Sequence, residues 1–203
     1  MIADPGPDPV RLILDLPHGR RLVALVGPPA AGKSTRAEAL ANAVRAGGRT
    51  AQVVPMDGFH IDNDTLEARG LRARKGSPAT FDVAGLLSLV RAVRTGGSQP
   101  FPTFDRTADA VVPLGGRLDA EVAIFEGNYL LLDTVPWRGL HPFWDLTLWL
   151  DVPDAVLRER LLRRWRDHGF DAAEARVKAE GNDLPNAHLA VARSRAADIV
   201  LRD

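Results

Sequence analysis

The chain has 203 residues, enough for one well-buried core and short for two full domains. Lysine plus arginine equals aspartate plus glutamate at 26 each, so no overall field favours nucleic acid or an anionic membrane, and any basic site has to be local. Cysteine is absent, which excludes disulfides, thiolate metal sites and cysteine nucleophiles together and fits a reducing cytosol. The N-terminus, Met1-Ile2-Ala3-Asp4-Pro5-Gly6-Pro7, lacks a basic segment followed by an apolar one, and no apolar stretch approaches 18 residues. A soluble, cytoplasmic protein of one domain, residues 1–203, is the expectation, with no membrane insertion and no nucleic-acid partner.

The first apolar run, Leu22 to Val26, leads directly into Gly27-Pro28-Pro29-Ala30-Ala31-Gly32-Lys33-Ser34. A buried strand, a loop of this spacing and a helical pattern from Ala37 to Val44 together make a P-loop in its required context. The two glycines let consecutive backbone N–H groups curl inward into an anion-sized concavity, and the helix dipole adds positive potential there. Gly27, Ala30, Ala31, Gly32, Lys33, Ser34 and Thr35 are therefore the candidate triphosphate-binding residues. The Lys33 ammonium can reach the β- and γ-phosphates and the Ser34 hydroxyl can ligate the Mg²⁺ that bridges them, while Thr35 caps or packs.

Further apolar runs follow at Thr50 to Pro55, Val122 to Phe125, Leu146 to Leu150 and Asp198 to Leu201. Helical patterns lie between them, near Val83 to Thr95 and from Asp154 to His168. Short, near-continuous apolar strands alternating with helices read as a parallel sheet covered on both faces. Gly47-Gly48, Gly96-Gly97 and Gly115-Gly116 are turn punctuation within it.

In such sheets ligands bind beyond the carboxyl ends of the strands, so the residues there carry the functional question. Asp57, after the second run, either accepts a proton from a substrate hydroxyl or forms a turn with Gly58. His60 beside it is a loop histidine or a substrate contact. Glu126 follows the central run, where a buried carboxylate needs a partner; a metal or its hydration shell serves, as does capping of the next segment. In the Asp154 to His168 helix, Leu157, Leu161 and Trp165 form the apolar stripe. Arg160 with Arg163 or Arg164 then occupies another face, as a phosphate clamp on a closing lid or as a solvated surface. Trp137 and Trp144 serve either the core or an interface between two copies of the chain.

Together with the P-loop, Met56-Asp57-Gly58-Phe59, Arg74-Lys75-Gly76-Ser77-Pro78-Ala79-Thr80-Phe81-Asp82, Phe125-Glu126-Gly127-Asn128-Tyr129-Leu130 and Asn182-Asp183-Leu184-Pro185-Asn186 form an ordered set. The set resembles the uridine kinase and type I pantothenate kinase group of P-loop small-molecule kinases over nearly the whole chain, residues 20–202. It is similar to a bacterial branch of nucleoside/nucleotide kinase family proteins, some labelled fructose transport system kinases. The resemblance implies an α/β three-layer P-loop sandwich with a five-stranded parallel sheet, a helical lid over residues 158–182 and an acceptor-side insertion over residues 58–116. It implies ATP with Mg²⁺, Asp57 as catalytic base, Glu126 near the metal, and Arg160, Arg163 and Arg164 in the lid. Asn182 falls near the acceptor, and Phe101-Pro102-Thr103-Phe104-Asp105-Arg106 on the segment lining the acceptor pocket.

Pantothenate kinases carry tyrosine and histidine where this chain has Phe104 and Arg106, and uridine kinases show Tyr-Asp-Phe where it has Phe104-Asp105-Arg106. Arg106 suggests a polar or anionic acceptor, or an ion pair with Asp105 or Asp109. The resulting expectation is transfer of the ATP γ-phosphate to a hydroxyl of a nucleoside-, sugar- or pantothenate-like metabolite. A nucleotide-hydrolysing regulatory or transport-associated module is the alternative.

Overall fold

The computed structural model describes residues 7–202; residues 1–6, on which the reading of the N-terminus rests, and Asp203 lie outside the described residues. The chain runs α1 (Pro9–Leu14), β1 (Arg21–Val26), α2 (Lys33–Ala46), β2 (Ala51–Pro55), α3 (Asn63–Ala68), α4 (Val83–Arg94), β3 (Gln99–Asp105), β4 (Ala110–Leu118) and β5 (Val122–Gly127). It continues through β6 (Leu146–Asp151), α5 (Asp154–Asp167), α6 (Ala172–Lys178), a π-helical turn over Ala179–Asp183, α7 (Leu184–Arg193) and β7 (Ile199–Arg202).

Five strands form one parallel sheet in the order β2-β5-β1-β6-β7, with β1 at its centre. Leu22 to Val26 of β1 are wholly buried, and alternate residues feed two cores. Leu22, Ala24 and Val26 pack with Phe125 and with Leu86, Val90 and Val93 of α4. Val23 and Leu25 pack with Ile124 and with Ala37, Leu40, Ala41 and Val44 of α2. Side chains of successive strand residues point to opposite faces, so a strand covered on both sides reads as an unbroken apolar run. Each large side chain buried this way contributes on the order of 1.5–3 kcal/mol. The five-stranded parallel sheet expected from the sequence is present, flanked by helices.

Register sets the ends of the three strands that matter level with one another. Glu126 of β5 pairs with Leu25 of β1 on one side and with Pro55 of β2 on the other. Glu126 thus lies inside its strand, one residue further along than the apolar run suggested.

The antiparallel hairpin β3–β4 is one element the sequence reading missed, as are α1, α3 and α7. Pro100 and Pro102 argue against a strand, since proline cannot donate to a ladder. Here β3 has a partner on one side only, and its register shifts between Phe101 and Thr103. Gly58 lets the hairpin approach: a Cβ at this position would stand 2.6 Å from the carbonyl carbon of Pro102, with the carbonyl oxygen closer still. Trp137 is 2% exposed and stacks edge-on to Phe81 and Tyr129, while Trp144 packs on Phe125 and donates to the Leu130 carbonyl at 3.2 Å. Trp137 belongs to the core, whereas Trp144 is half-buried and packs against it.

Candidate active site

The loop after β1 turns under Gly27, where a Cβ would stand 2.9 Å from the Leu150 carbonyl oxygen, and enters α2 through Gly32 at φ 89°. Only glycine takes that left-handed conformation without strain. Ala30 also has positive φ, at 63°. Lys33 is 8% exposed and donates through Nζ to the Pro28 carbonyl at 2.9 Å. Burial pushes its ammonium below the ordinary lysine value, opposed by Glu126 and Asp57. Ala30, Gly32, Lys33, Ser34 and Thr35 line the adjoining cleft, and Thr35 is exposed. Gly27 and Ala31 are buried behind them and shape the loop.

Ser34 Oγ donates to Glu126 Oε1 at 2.9 Å. Glu126 is 5% exposed, and burial raises its carboxyl above the usual range despite the Lys33 charge beside it. A buried carboxylate and a hydroxyl converging at one point are hard oxygen donors suited to Mg²⁺. No cluster of three or more acidic, histidine or cysteine side chains among the described residues could hold a metal alone.

Asp57 sits in a short 3-10 turn, Met56–Phe59, that directly follows β2. Its carboxylate accepts from Arg106 Nη2 at 3.2 Å. An ion pair of Arg106 with Asp105 or Asp109, one of the two readings open from the sequence, is not what the structure shows. Asp105 accepts from the amides of Thr107 and Ala108, closing the hairpin turn. Asp109 is held by Lys75 at 2.7 Å and Arg72 at 3.0 Å, and those bonds keep its carboxyl below the ordinary value against the opposing effect of burial.

His60 stacks on Phe81 with ring centroids 4.1 Å apart and tilts against Phe104 at 5.0 Å. Burial pushes its imidazole down to about 4, and its Nδ1 finds no partner among the described residues. Lys75, 12% exposed, lies over the Phe104 ring at 4.9 Å and donates to Asn63 at 2.8 Å. Asn182 donates to the Lys75 carbonyl at 2.8 Å and accepts from Asn186 at 3.2 Å. It borders the cleft, yet its amide braces the opposite wall. Asp183 beside it accepts from Trp165 Nε1 at 2.6 Å, and burial raises its carboxyl.

In α5, Leu157 and Leu161 are buried and Trp165 is half-buried. Arg160 reaches the carbonyls of Ala30 and Ala31 at 3.4 and 3.3 Å. Arg163 and Arg164 are both exposed, but Arg164 lines the cleft and Arg163 does not. At 100° per residue the two neighbours face different ways, and only Arg164 turns inward. Asp57, Lys33, Glu126, Arg106, Arg164, His60, Phe104 and Asn182 all border this one cleft of about 1280 Å³. The sequence reading missed Arg72, Lys75 and Asp109. Lys75 lay within a motif already noticed, but its partner is 34 residues away.

No family model matches the chain. The Escherichia coli K12 protein YggC, whose name assigns no activity, is 35% identical over 187 residues, covering 91% of this chain and 78% of that one. A Schizosaccharomyces pombe protein provisionally named uridine kinase C227.14 is 34% identical over 200 residues, covering 92% and 85%. A crystal structure from Silicibacter sp. TM1040, provisionally named a fructose transport system kinase, matches with a TM-score of 0.90 and 44% identity over 95% of both chains.

Proposed function

This chain belongs to the P-loop small-molecule kinases of the uridine kinase and pantothenate kinase group, and on that premise we propose that it transfers the γ-phosphate of ATP to a hydroxyl of a small metabolite. The observation that carries the reading is the level register of the sheet. It puts Lys33, Glu126 and Asp57 around one cleft at the carboxyl ends of β1, β5 and β2.

In this reading the concavity from Gly27 to Thr35 holds the phosphates, with Lys33 turning from the Pro28 carbonyl to the β- and γ-phosphates. Ser34 and Glu126 would hold Mg²⁺, which when bound offsets charge on those phosphates. Asp57 orients the acceptor hydroxyl and takes its proton. Arg164 and Arg160 close from the lid side, and Arg163 is left out of the clamp. Phe104, His60 and Phe81 wall the acceptor side with aromatic surface, against which Arg72, Lys75 and Asp109 set a charged end. Asn182 acts there by bracing Lys75.

No helix among the described residues is long and apolar enough to cross a membrane. The cytoplasm is the proposed compartment, and the small-molecule acceptor the proposed partner.

The test is a coupled assay with Mg²⁺ and ATP against nucleosides, sugars, pantothenate and related vitamins, using the unaltered protein and Asp57→Asn. A specific acceptor with turnover reduced about 10²- to 10⁴-fold in Asp57→Asn, at unchanged ATP affinity, is the expected result. Full transfer by Asp57→Asn removes the base assignment. ATP hydrolysis with no phosphorylated acceptor favours the regulatory module.

A further inference from the structure

The hairpin tip brings a cation to the cleft. Arg106 lies between two aspartates that are both engaged elsewhere, Asp105 by the turn amides and Asp109 by Lys75 and Arg72. Its guanidinium instead reaches Asp57 at 3.2 Å. It borders the main cleft and a smaller hollow of about 190 Å³ that is also bordered by Ser34 and Glu126. The side chain is 63% exposed, and among the described residues only Nη2 has a hydrogen bond, leaving most of a five-donor fork open.

A change of partner follows from the chemistry. As the acceptor oxygen bonds to the γ-phosphorus, its proton passes to Asp57, and the bond from γ-phosphorus to the bridging oxygen breaks with its electron pair leaving on ADP. Asp57 becomes neutral in that step, so Arg106 loses its counter-charge just as charge spreads over the transferring oxygens. A planar fork suits those oxygens as well as it suits a carboxylate.

We propose that Arg106 is a catalytic residue of the transfer, holding Asp57 in the nucleotide-free protein and contacting the transferring phosphoryl group as Asp57 takes up the acceptor proton. The inference rests on the kinase reading above. It supplies from the acceptor side a positive charge that complements Arg164 on the lid.

ADP with aluminium fluoride mimics the transferring group and needs no knowledge of the acceptor. Calorimetric titration of ADP alone and of ADP with aluminium fluoride and Mg²⁺ compares the unaltered protein, Arg106→Gln, Arg106→Lys and the hairpin-tip control Thr107→Ala. Arg106→Gln is expected to lose about tenfold or more in affinity for the aluminium fluoride complex, the loss of one charge-assisted hydrogen bond, with ADP affinity unchanged. Arg106→Lys recovers part of the loss, and Thr107→Ala changes neither affinity. Equal loss for both ligands, no loss for either, or an unaltered protein that binds the complex no better than ADP overturns the proposal. An acceptor panel that yields no phosphorylated product removes the kinase reading, and the titration still decides whether Arg106 reaches the transferring group.

Discussion

Gly58→Ala isolates the geometry of the acceptor side. The new Cβ would stand 2.6 Å from the Pro102 carbonyl carbon, 0.8 Å short of the 3.4 Å at which ordinary contact begins. The obstructing atoms are backbone, so no rotamer change relieves them, and the hairpin has to move away from the Met56–Phe59 turn by about 1 Å. Overpacking of this kind destabilises by about 1–3 kcal/mol. The same movement draws Phe104 and Arg106 away from Asp57, and a misplacement of about 1 Å at a reacting centre lowers turnover by about 10²-fold. The phosphate loop follows a different strand and is untouched. Transfer to the acceptor should therefore fall about 10²-fold while ATP affinity stays within about twofold, measured by coupled assay and calorimetry on protein whose folding is checked by thermal unfolding. Unimpaired transfer in folded Gly58→Ala, or a parallel loss of ATP affinity, refutes the reasoning.

Glu126→Gln keeps the shape of the Ser34 contact and removes its charge, so the Mg²⁺ concentration for half-maximal activity should rise about tenfold or more; an unchanged Mg²⁺ titration would remove Glu126 from the metal side. Arg164→Gln should lower kcat/KM about ten- to a hundredfold and Arg163→Gln less than about twofold, and equal effects would contradict the difference in their facing. His60 titrates at about 4 in the folded protein against 6.5 when unfolded, so the unfolded chain binds more protons between those values. Stability should then decline as pH falls from 6.5 towards 4, by roughly 3 kcal/mol in total, and chemical denaturation of His60→Asn should show a flatter pH dependence over that window.

The parts of the site legible in the sequence are those in which one short segment carries both position and chemistry. Gly27 to Ser34 is such a segment, and so are Asp57 and Glu126, each placed by the apolar strand before it. Arg163 and Arg164 were not separable because the helical phase at the end of α5 depends on how Trp165 packs against the π-helical turn. The partner of Arg106 was not legible for a related reason: Asp105 and Asp109 are near in sequence, while Asp57, 49 positions away, enters reach only when the hairpin folds over Gly58. The Lys75, Arg72 and Asp109 cluster likewise joins segments that no local pattern connects.

The order of the sheet separates two kinds of mechanical behaviour. β1, which carries the phosphate loop, is hydrogen-bonded on both sides, whereas β2, which carries Asp57, is an edge strand joined to β5 alone. Amide protons in β1 are expected to exchange with solvent only when the whole sheet opens, and those on the outer side of β2 through smaller, more frequent openings. The molecule thereby pairs an unyielding nucleotide cradle with a pliable margin where acceptor preference can drift by substitution without loosening the grip on the triphosphate.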